Sequence, residues 1–285
     1  MISVIILTFN SESTIAQTLA SARKVSDDIH VVDSLSKDRT LEIAREFGCN
    51  IVQHPFEHYG AQRNWAIQNL PLRYEWQLHL DADEFLTPEL IGEIIRLKQH
   101  FPADVNGYFI PRLTRFLGRD LRHGGHYPIW HMRLFRTGKG RCENRRYDQH
   151  FMLEGRGERI HAPMVDDNRM SLREWTERHN RWADAEVQEI LSPTTEGILQ
   201  PSLSGSPMQQ KRALRGLYAR GPLLVRAFLF FAYRYFLRLG FLDGEPGLIY
   251  NVLQTFWYRF LIDAKLYELS LREEAPALSE ARGRG

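Results

Sequence analysis

In its N-terminal third the chain repeatedly runs a short, apolar, β-branched segment into a polar stop and then into a helical pattern. Val4-Ile5-Ile6-Leu7 stops at Thr8-Phe9-Asn10, and Ile29-His30-Val31-Val32 stops at Asp33-Ser34. Ile51-Val52-Gln53 is a shorter version, and Trp76-Gln77-Leu78-His79-Leu80 runs into Asp81-Ala82-Asp83-Glu84. Between them Ile15, Leu19 and Ala22 recur at helical spacing, as do Leu41, Ala44 and Phe47 before a Gly48 stop, and residues 60–70 read as a third helix. Thr87-Pro88-Glu89 opens a fourth, with an N-cap residue followed by proline at the first helical position. Apolar runs of this length between polar stops are buried strands. Their alternation with helices predicts a mostly parallel sheet covered by helices on both faces. Ligands of such sheets bind at the carboxyl ends of the strands, and there the sequence places Thr8, Asn10, Asp33, Asp81 and Asp83.

Composition removes several alternatives. The chain has 285 residues, with 37 Lys and Arg against 35 Asp and Glu, a formal charge of +2. That balance does not fit a dedicated nucleic-acid binder, so no nucleic-acid partner is expected. Two cysteines, Cys49 and Cys142, make neither a disulfide framework nor a four-thiolate metal site. The apolar opening lacks a basic n-region and is read as a strand, which points to a cytoplasmic enzyme. No Gly-x-Gly-x-x-Gly and no Gly-Lys-Ser/Thr occurs, so diphosphate charge must be met by other means. An Asp-x-Asp pair at a strand end can hold Mg2+ or Mn2+, hard cations that take oxygen ligands and bridge phosphate oxygens. The plainer reading is that Asp81 and Asp83 solvate a loop or cap the next helix, and the preceding buried strand weighs against it.

Four motifs taken together resemble the family 2 glycosyltransferases: Val4 to Asn10; Val31-Val32-Asp33-Ser34 with Asp38 and Thr40; Gly60-Ala61-Gln62-Arg63-Asn64; and Leu80-Asp81-Ala82-Asp83-Glu84. The resemblance implies a GT-A fold, Rossmann-like, and an inverting, metal-dependent transfer of a sugar from a nucleotide-diphosphate sugar, UDP-linked by preference. It places Thr8, Asn10 and Glu12 near the nucleoside, Asp33 on the base, Arg63 near the diphosphate or sugar, Asp81 near the ribose and donor sugar, and Asp83 on the metal. Each also has a structural reading: strand end and cap for Thr8 and Asn10, Asx-turn for Asp33, solvated helix face for Arg63.

Such a transfer needs a base for the acceptor hydroxyl. Trp130 to Gly140 resembles the stretch that precedes the base in relatives, and Asp148 falls where many of them carry Glu. Asp148 is therefore assigned as the base, with Glu143 close by and a plain surface carboxylate as its rival. His161, Asp166 and Asp167 are candidates for a further metal ligand. The His123-Gly124-Gly125-His126 loop reads equally as acceptor contact or turn.

Residues 171–190 read as a polar helix, and the Pro-, Gly- and Ser-rich stretch 192–207 as a linker. The division expected is a GT-A domain over 1–195 and a C-terminal amphipathic helical region over 196–285. Residues 222–242 are long enough to span a bilayer but carry Arg226, Arg234 and Arg238. From Gln200 to Arg272 there are 10 Lys and Arg against 4 Asp and Glu. Apolar, aromatic and basic residues together suit a membrane-associating surface helix; a hairpin packed on the catalytic domain is the alternative. The expected setting is the cytoplasmic face of the cell membrane, with a lipid-linked or polysaccharide acceptor of surface-glycan assembly. Two rival functions remain. A nucleotidyltransferase would need a Gly-rich basic loop after the first strand. A non-catalytic nucleotide-sugar-binding membrane scaffold would show binding without turnover.

Overall fold

The computed structural model describes residues 1–145, 148–193 and 198–282, with side chains to residue 272. Strands β1 (Ile2–Thr8), β2 (Asp28–Asp33), β3 (Asn50–Gln53) and β4 (Trp76–Asp81) lie parallel in the order β3-β2-β1-β4. Every residue of β1 and β2 is buried, which is why these strands read as unbroken apolar runs. Helices α1 (Ile15–Ala22), α2 (Thr40–Glu46) and α4 (Pro88–Gln99) cover one face through Ile15, Leu19, Ala44, Leu90 and Ile94. Helix α3 (Tyr59–Asn69) covers the other, packing Ala66 against Ile5 and Val32. Thr87 caps α4 as the sequence indicates, accepting from Leu90 N–H at 3.2 Å.

The second half of the sheet is mixed. Strand β5 (Glu84–Leu86) follows the Asp-x-Asp turn, and then come β6 (Val105–Phe116), β7 (Arg119–Asp120), β8 (Ile129–Arg136), β9 (Gly140–Cys142), β10 (Phe151–Leu153), β11 (Arg156–Arg159) and β12 (Met164–Asp167). β8 joins β4 antiparallel, and β6, β12 and β5 continue outward from it. Among the described residues ten strands form this one sheet, and β9 and β10 make a separate ribbon. The fold is α/β on the GT-A plan, with helices on both faces and a helical C-terminal extension.

Helix α5 (Leu172–Leu191) follows the sheet, and the extension comprises α6 (Pro207–Ala219), α7 (Val225–Ala232), α8 (Gly244–Tyr250) and α9 (Tyr258–Arg282), with π-helical turns at Tyr233–Leu237 and Asn251–Trp257. Ala183 and Val187 of α5 share a small core with Tyr258 and Ile262 of α9. The boundary expected between residues 195 and 196 lies outside the described residues. Two of the arginines inside the apolar run turn inward: Arg226 pairs with the buried Asp263, and Arg234 meets His126 at 2.8 Å. The His123–His126 loop is clamped by the same region. His123 Nδ1 meets Asp243 Oδ1 at 2.7 Å, and His126 Nε2 meets Asn251 Oδ1 at 3.1 Å. Among the described residues no helix is long and apolar enough to cross a membrane.

Candidate active site

The loops after β1 and β2 are laced together. Asn10, in the left-handed region at φ 46°, accepts from Lys37 N–H at 2.8 Å and donates its own N–H to Ser36 Oγ at 2.8 Å. Glu12 accepts from Arg39 N–H at 3.0 Å and donates its N–H to Asp38 at 3.0 Å. These two side chains therefore brace one loop on the other. Asp33, fully buried and opposite Thr8 in the ladder, accepts from Ser36 N–H and Gln53 Nε2, each at 2.9 Å. Thr8 Oγ1 is buried with no hydrogen-bond partner among the described residues, an uncommon state for a buried hydroxyl and one that a ligand atom would relieve.

Beyond β4 the carboxylates gather. Asp81 ends the strand and is gripped from two elements. Arg63 of α3 donates Nη2 to both its oxygens, at 2.8 and 3.1 Å, and Arg133 of β8 donates Nη2 to Oδ2 at 2.9 Å. The same Arg133 nitrogen reaches the fully buried Glu84 at 2.5 Å, and Glu84 in turn accepts Asp81 N–H at 3.0 Å. Burial pushes the Asp81 carboxyl up, but Arg63 and Arg133 outweigh it and hold it well below the usual carboxylate range. Glu84 stays raised, because burial exceeds the pull of Arg133.

Asp83 is the opposite case. Burial and the neighbouring Asp166, Asp81 and Glu84 push it up to about 8. Its one opposing charge of note is Arg178 from α5, whose guanidinium lies 4.7 Å over the Trp182 ring and whose Nε has no hydrogen-bond partner among the described residues. Of the three candidates for a further ligand, Asp166 is the one whose field reaches Asp83. Asp167 pairs with Arg169 at 2.9 Å, and His161 packs its ring edge-on to Trp130. No three His, Cys, Asp or Glu side chains converge as a ready-made cation cage among the described residues. The pair Asp83 and Asp166 nevertheless fits a hard divalent cation. Both offer oxygen donors, and Asp83 stays raised although Arg112 faces Asp166 and Arg178 bears on Asp83; the remaining positions suit phosphate oxygens and water.

Arg112 of β6 links this cluster to a second one. It stands 3.5 Å from Asp166, and its charge also bears on His131 and Lys211. In the second cluster Glu143 is fully buried and held by both Arg212 nitrogens, at 2.5 and 2.9 Å, and by the N–H groups of His150 and Leu199. Asp148, at φ 53°, takes Arg215 Nη1 at 2.5 Å, with Lys211 at 3.5 Å and His150 at 3.6 Å. Burial raises its carboxyl, but Lys211, His150, Arg215 and Arg212 together drive it far below the ordinary value. Burial holds His150 itself down at about 4. Three of the cations around this cluster, Lys211, Arg212 and Arg215, come from α6.

The fold thus brings Arg63, Asp81 and Asp83 to one strand end, with Thr8 and Asp33 at the adjoining ends. Asn10 and Glu12 lie at the loops above, and Asp148 stands in a separate, cation-rich cluster. Arg112, Arg133, Arg178 and the α6 cations did not emerge from the sequence. Arg133 had a usable signal, a charge inside the run Met132-Arg133-Leu134-Phe135.

A mixed sheet whose parallel strands end in carboxylates, with an Asp-x-Asp turn after β4, places the candidate site of this α/β fold at the carboxyl ends of those strands. Residues 3–154 match the model of glycosyl transferase family 2, more than half of the chain, and the protein belongs to that family. Over 93 residues it is 37% identical to an uncharacterized glycosyltransferase of Rickettsia typhi and 38% identical to one of Rickettsia conorii. Each match covers 33% of this chain and spans about a third of the relative's length, 31% and 32%. Among solved structures it is similar to the mannosyltransferase PcManGT from Pyrobaculum calidifontis in complex with GDP-Man and Mn2+ (16% identity, TM-score 0.48, covering 93% of this chain and 86% of that one). It is also similar to S. aureus TarS 1–349 in complex with UDP (15% identity, TM-score 0.47, 94% and 91% covered).

Proposed function

We propose that the protein is an inverting glycosyltransferase that moves a sugar from a nucleotide-diphosphate sugar, UDP-linked by preference, to a hydroxyl of a lipid-linked or polysaccharide acceptor. The observation that carries this reading is the raised Asp83 facing Asp166, beside the arginine-neutralised Asp81 at the end of β4. In the proposed reaction the acceptor oxygen bonds to the anomeric carbon while the bond from that carbon to the diphosphate oxygen breaks. The nucleotide diphosphate leaves, and the acceptor proton passes to an Asp148 carboxylate oxygen. A single displacement inverts the anomeric centre. Asp83 and Asp166 would hold a divalent cation, Mg2+ or Mn2+, whose chemistry would be charge neutralisation of the leaving diphosphate. Arg63 and Arg133 fix the ionised form and direction of Asp81 towards the donor sugar. Arg178 adds a cation on the diphosphate side, and Thr8 and Asp33 offer acceptors for the nucleoside.

The C-terminal extension supports a membrane setting through its outward apolar side chains. Phe228, Leu229, Phe236 and Leu237 are each more than half exposed. Such a surface fits peripheral attachment at the inner face of a cell membrane, near a lipid-linked acceptor. The test is release of UDP or GDP from a panel of nucleotide sugars with Mn2+ present, alongside a thermal-shift screen of the same donors with and without the metal. Donor binding without turnover would favour the second reading, a non-catalytic nucleotide-sugar-binding scaffold. The observation that favours it is the occupation of Asp148 by Arg215 and Lys211.

A further inference from the structure

Helix α6 is amphipathic in the wrong sense for a water-facing surface. Surface helices turn apolar residues inward and charges outward. In α6 Met208, Arg212 and Arg215, at helical spacing, turn towards the protein, while Leu214 and Leu217 face out at 59% and 64% exposure. Its inward attachments are ion pairs: Arg212 to Glu143, and Arg215 to both Asp148 and Glu186. Met208 is its one buried residue among those described. Helices α5 and α9, by contrast, are joined through an apolar core. An element with little buried apolar surface belongs to the low-stability end of a fold. Gly205 precedes α6 and Gly221 follows it.

The outer leucines continue into α7 through the exposed Val225, Phe228 and Leu229, and exposed cations lie along the same stretch: Lys211, Arg220 and Arg238. A twofold contact with a second copy would set these like charges against one another. An anionic bilayer meets both the leucines and the cations.

We propose that α6 is a lipid-responsive latch on the active site: seating Leu214 and Leu217 in an anionic bilayer draws the helix outward and takes Arg215 and Lys211 off Asp148, which becomes free to accept a proton only at the membrane. This rests on the reading of Asp148 as the base. It explains why one helix carries both the cations that occupy that carboxylate and an apolar outer face. Between membrane encounters the latch holds the base silent, so donor is not spent on water.

The experiment uses the full chain with spin labels at Gly216→Cys on α6 and Lys24→Cys on the catalytic domain, in a Cys49→Ser background. Release of nucleoside diphosphate is followed in parallel. Vesicles of phosphatidylglycerol and phosphatidylcholine should bind the protein, lengthen the label distance and raise turnover on the order of 10- to 100-fold, within what a general base contributes. Phosphatidylcholine alone should do none of these. Leu214→Glu/Leu217→Glu should keep the vesicle-free turnover and lose the response. Asp148→Asn should show no rise in turnover on the anionic vesicles. Binding with an unchanged label distance and unchanged turnover overturns the latch while Asp148→Asn still reports on the base. Full turnover in Asp148→Asn overturns the base reading and the proposal with it. A dimer that Leu214→Glu/Leu217→Glu converts to monomer assigns the face to a second copy and also overturns the latch.

Discussion

Asp83 and Asp148 lie in polar loops beyond strands, and burial works against the charge of both. Their neighbours set them apart. Asp83 faces Asp166, Asp81 and Glu84, with Arg178 as the opposing cation, and is pushed up to about 8. Asp148 faces Lys211, Arg215, Arg212 and His150 and is driven far down. Desolvation raises both; at Asp83 the neighbouring carboxylates add to it, and at Asp148 the surrounding cations reverse it. The first cluster sets Arg63, Arg133, Arg112 and Arg178 against four carboxylates yet leaves Asp83 raised, and in the proposed reading a cation and a diphosphate would complete it. The second is already filled from within, by a helix of the same chain, and under the proposed latch would become reactive only when that helix withdraws. On these proposals one site is prepared by binding and the other by release.

The largest effect expected falls on the first cluster. Asp83→Ala removes the carboxylate that concentrates the cation site and should lower turnover on the order of 10^3-fold. The Mn2+-dependent thermal shift should disappear, while the metal-free protein keeps its circular dichroism. Retained turnover would mean that the pair Asp83 and Asp166 holds no catalytic cation, and the contrast between the clusters would lose its functional content. The second cluster should respond in stability. Arg212→Met leaves the fully buried Glu143 without its bidentate partner. Breaking a buried pair from one side typically costs about 3–5 kcal/mol, to be read as a lower urea midpoint together with faster amide exchange in α6. A cost near zero would show that the cations of α6 do not neutralise this cluster.

Much of the first cluster was legible in the sequence because it is local. β1, β2 and β4 are buried on both faces and so read as apolar runs, and Asp81 and Asp83 follow the last of them directly. Thr87 and Pro88 announce the helix they cap. The second cluster was not legible in the same way. Asp148 was singled out, but Lys211, Arg212 and Arg215 come from a helix some sixty residues further on, beyond a linker. No spacing rule reports such a meeting. Arg112 and Arg178 are hidden for the same reason. The short strands β5, β9, β10 and β11 span three or four residues each, too few to show a period of two. In the C-terminal run the arginines suggested phosphates of a lipid surface. Arg226 and Arg234 instead meet Asp263 and His126, so the argument for a membrane now rests on the outward leucines and phenylalanines. The His123–His126 loop, ambiguous in the sequence, is a structural clamp for that region.

Gly60 is where the two clusters touch, and it offers a smaller test. It sits at the start of α3, and a Cβ added there would lie against the Glu143 backbone carbonyl oxygen, which cannot move aside as a flexible side chain can. Gly60→Ala should cost about 1–3 kcal/mol, the usual range for overpacking, measured by chemical denaturation. Because Arg63 rides on the same helix one turn later, turnover should fall as well. A stability loss with unchanged turnover would show that α3 absorbs the shift without moving Arg63 from Asp81.

The smallest effects separate the clusters by sign. Asp83 is raised in the folded protein, so without metal its contribution is fully present below its unfolded value, near pH 4, and is lost as pH rises through about 8. Asn in its place carries no charge to repel. In buffer with EDTA, Asp83→Asn should therefore gain a few degrees in Tm over the native chain at about pH 8 and little at about pH 5. Asp148 is depressed, so its contribution is present above the ordinary carboxylate range and is lost only as pH falls below about 4. Asp148→Asn should accordingly lower Tm throughout the neutral range, since it leaves Arg215 and Lys211 facing a neutral amide. Opposite signs for two Asp→Asn changes in one protein would show that the cations around Asp148 reverse the effect of burial, which both share. The same sign in both would mean that burial dominates and that the cations of α6 lie too far from Asp148 to hold it.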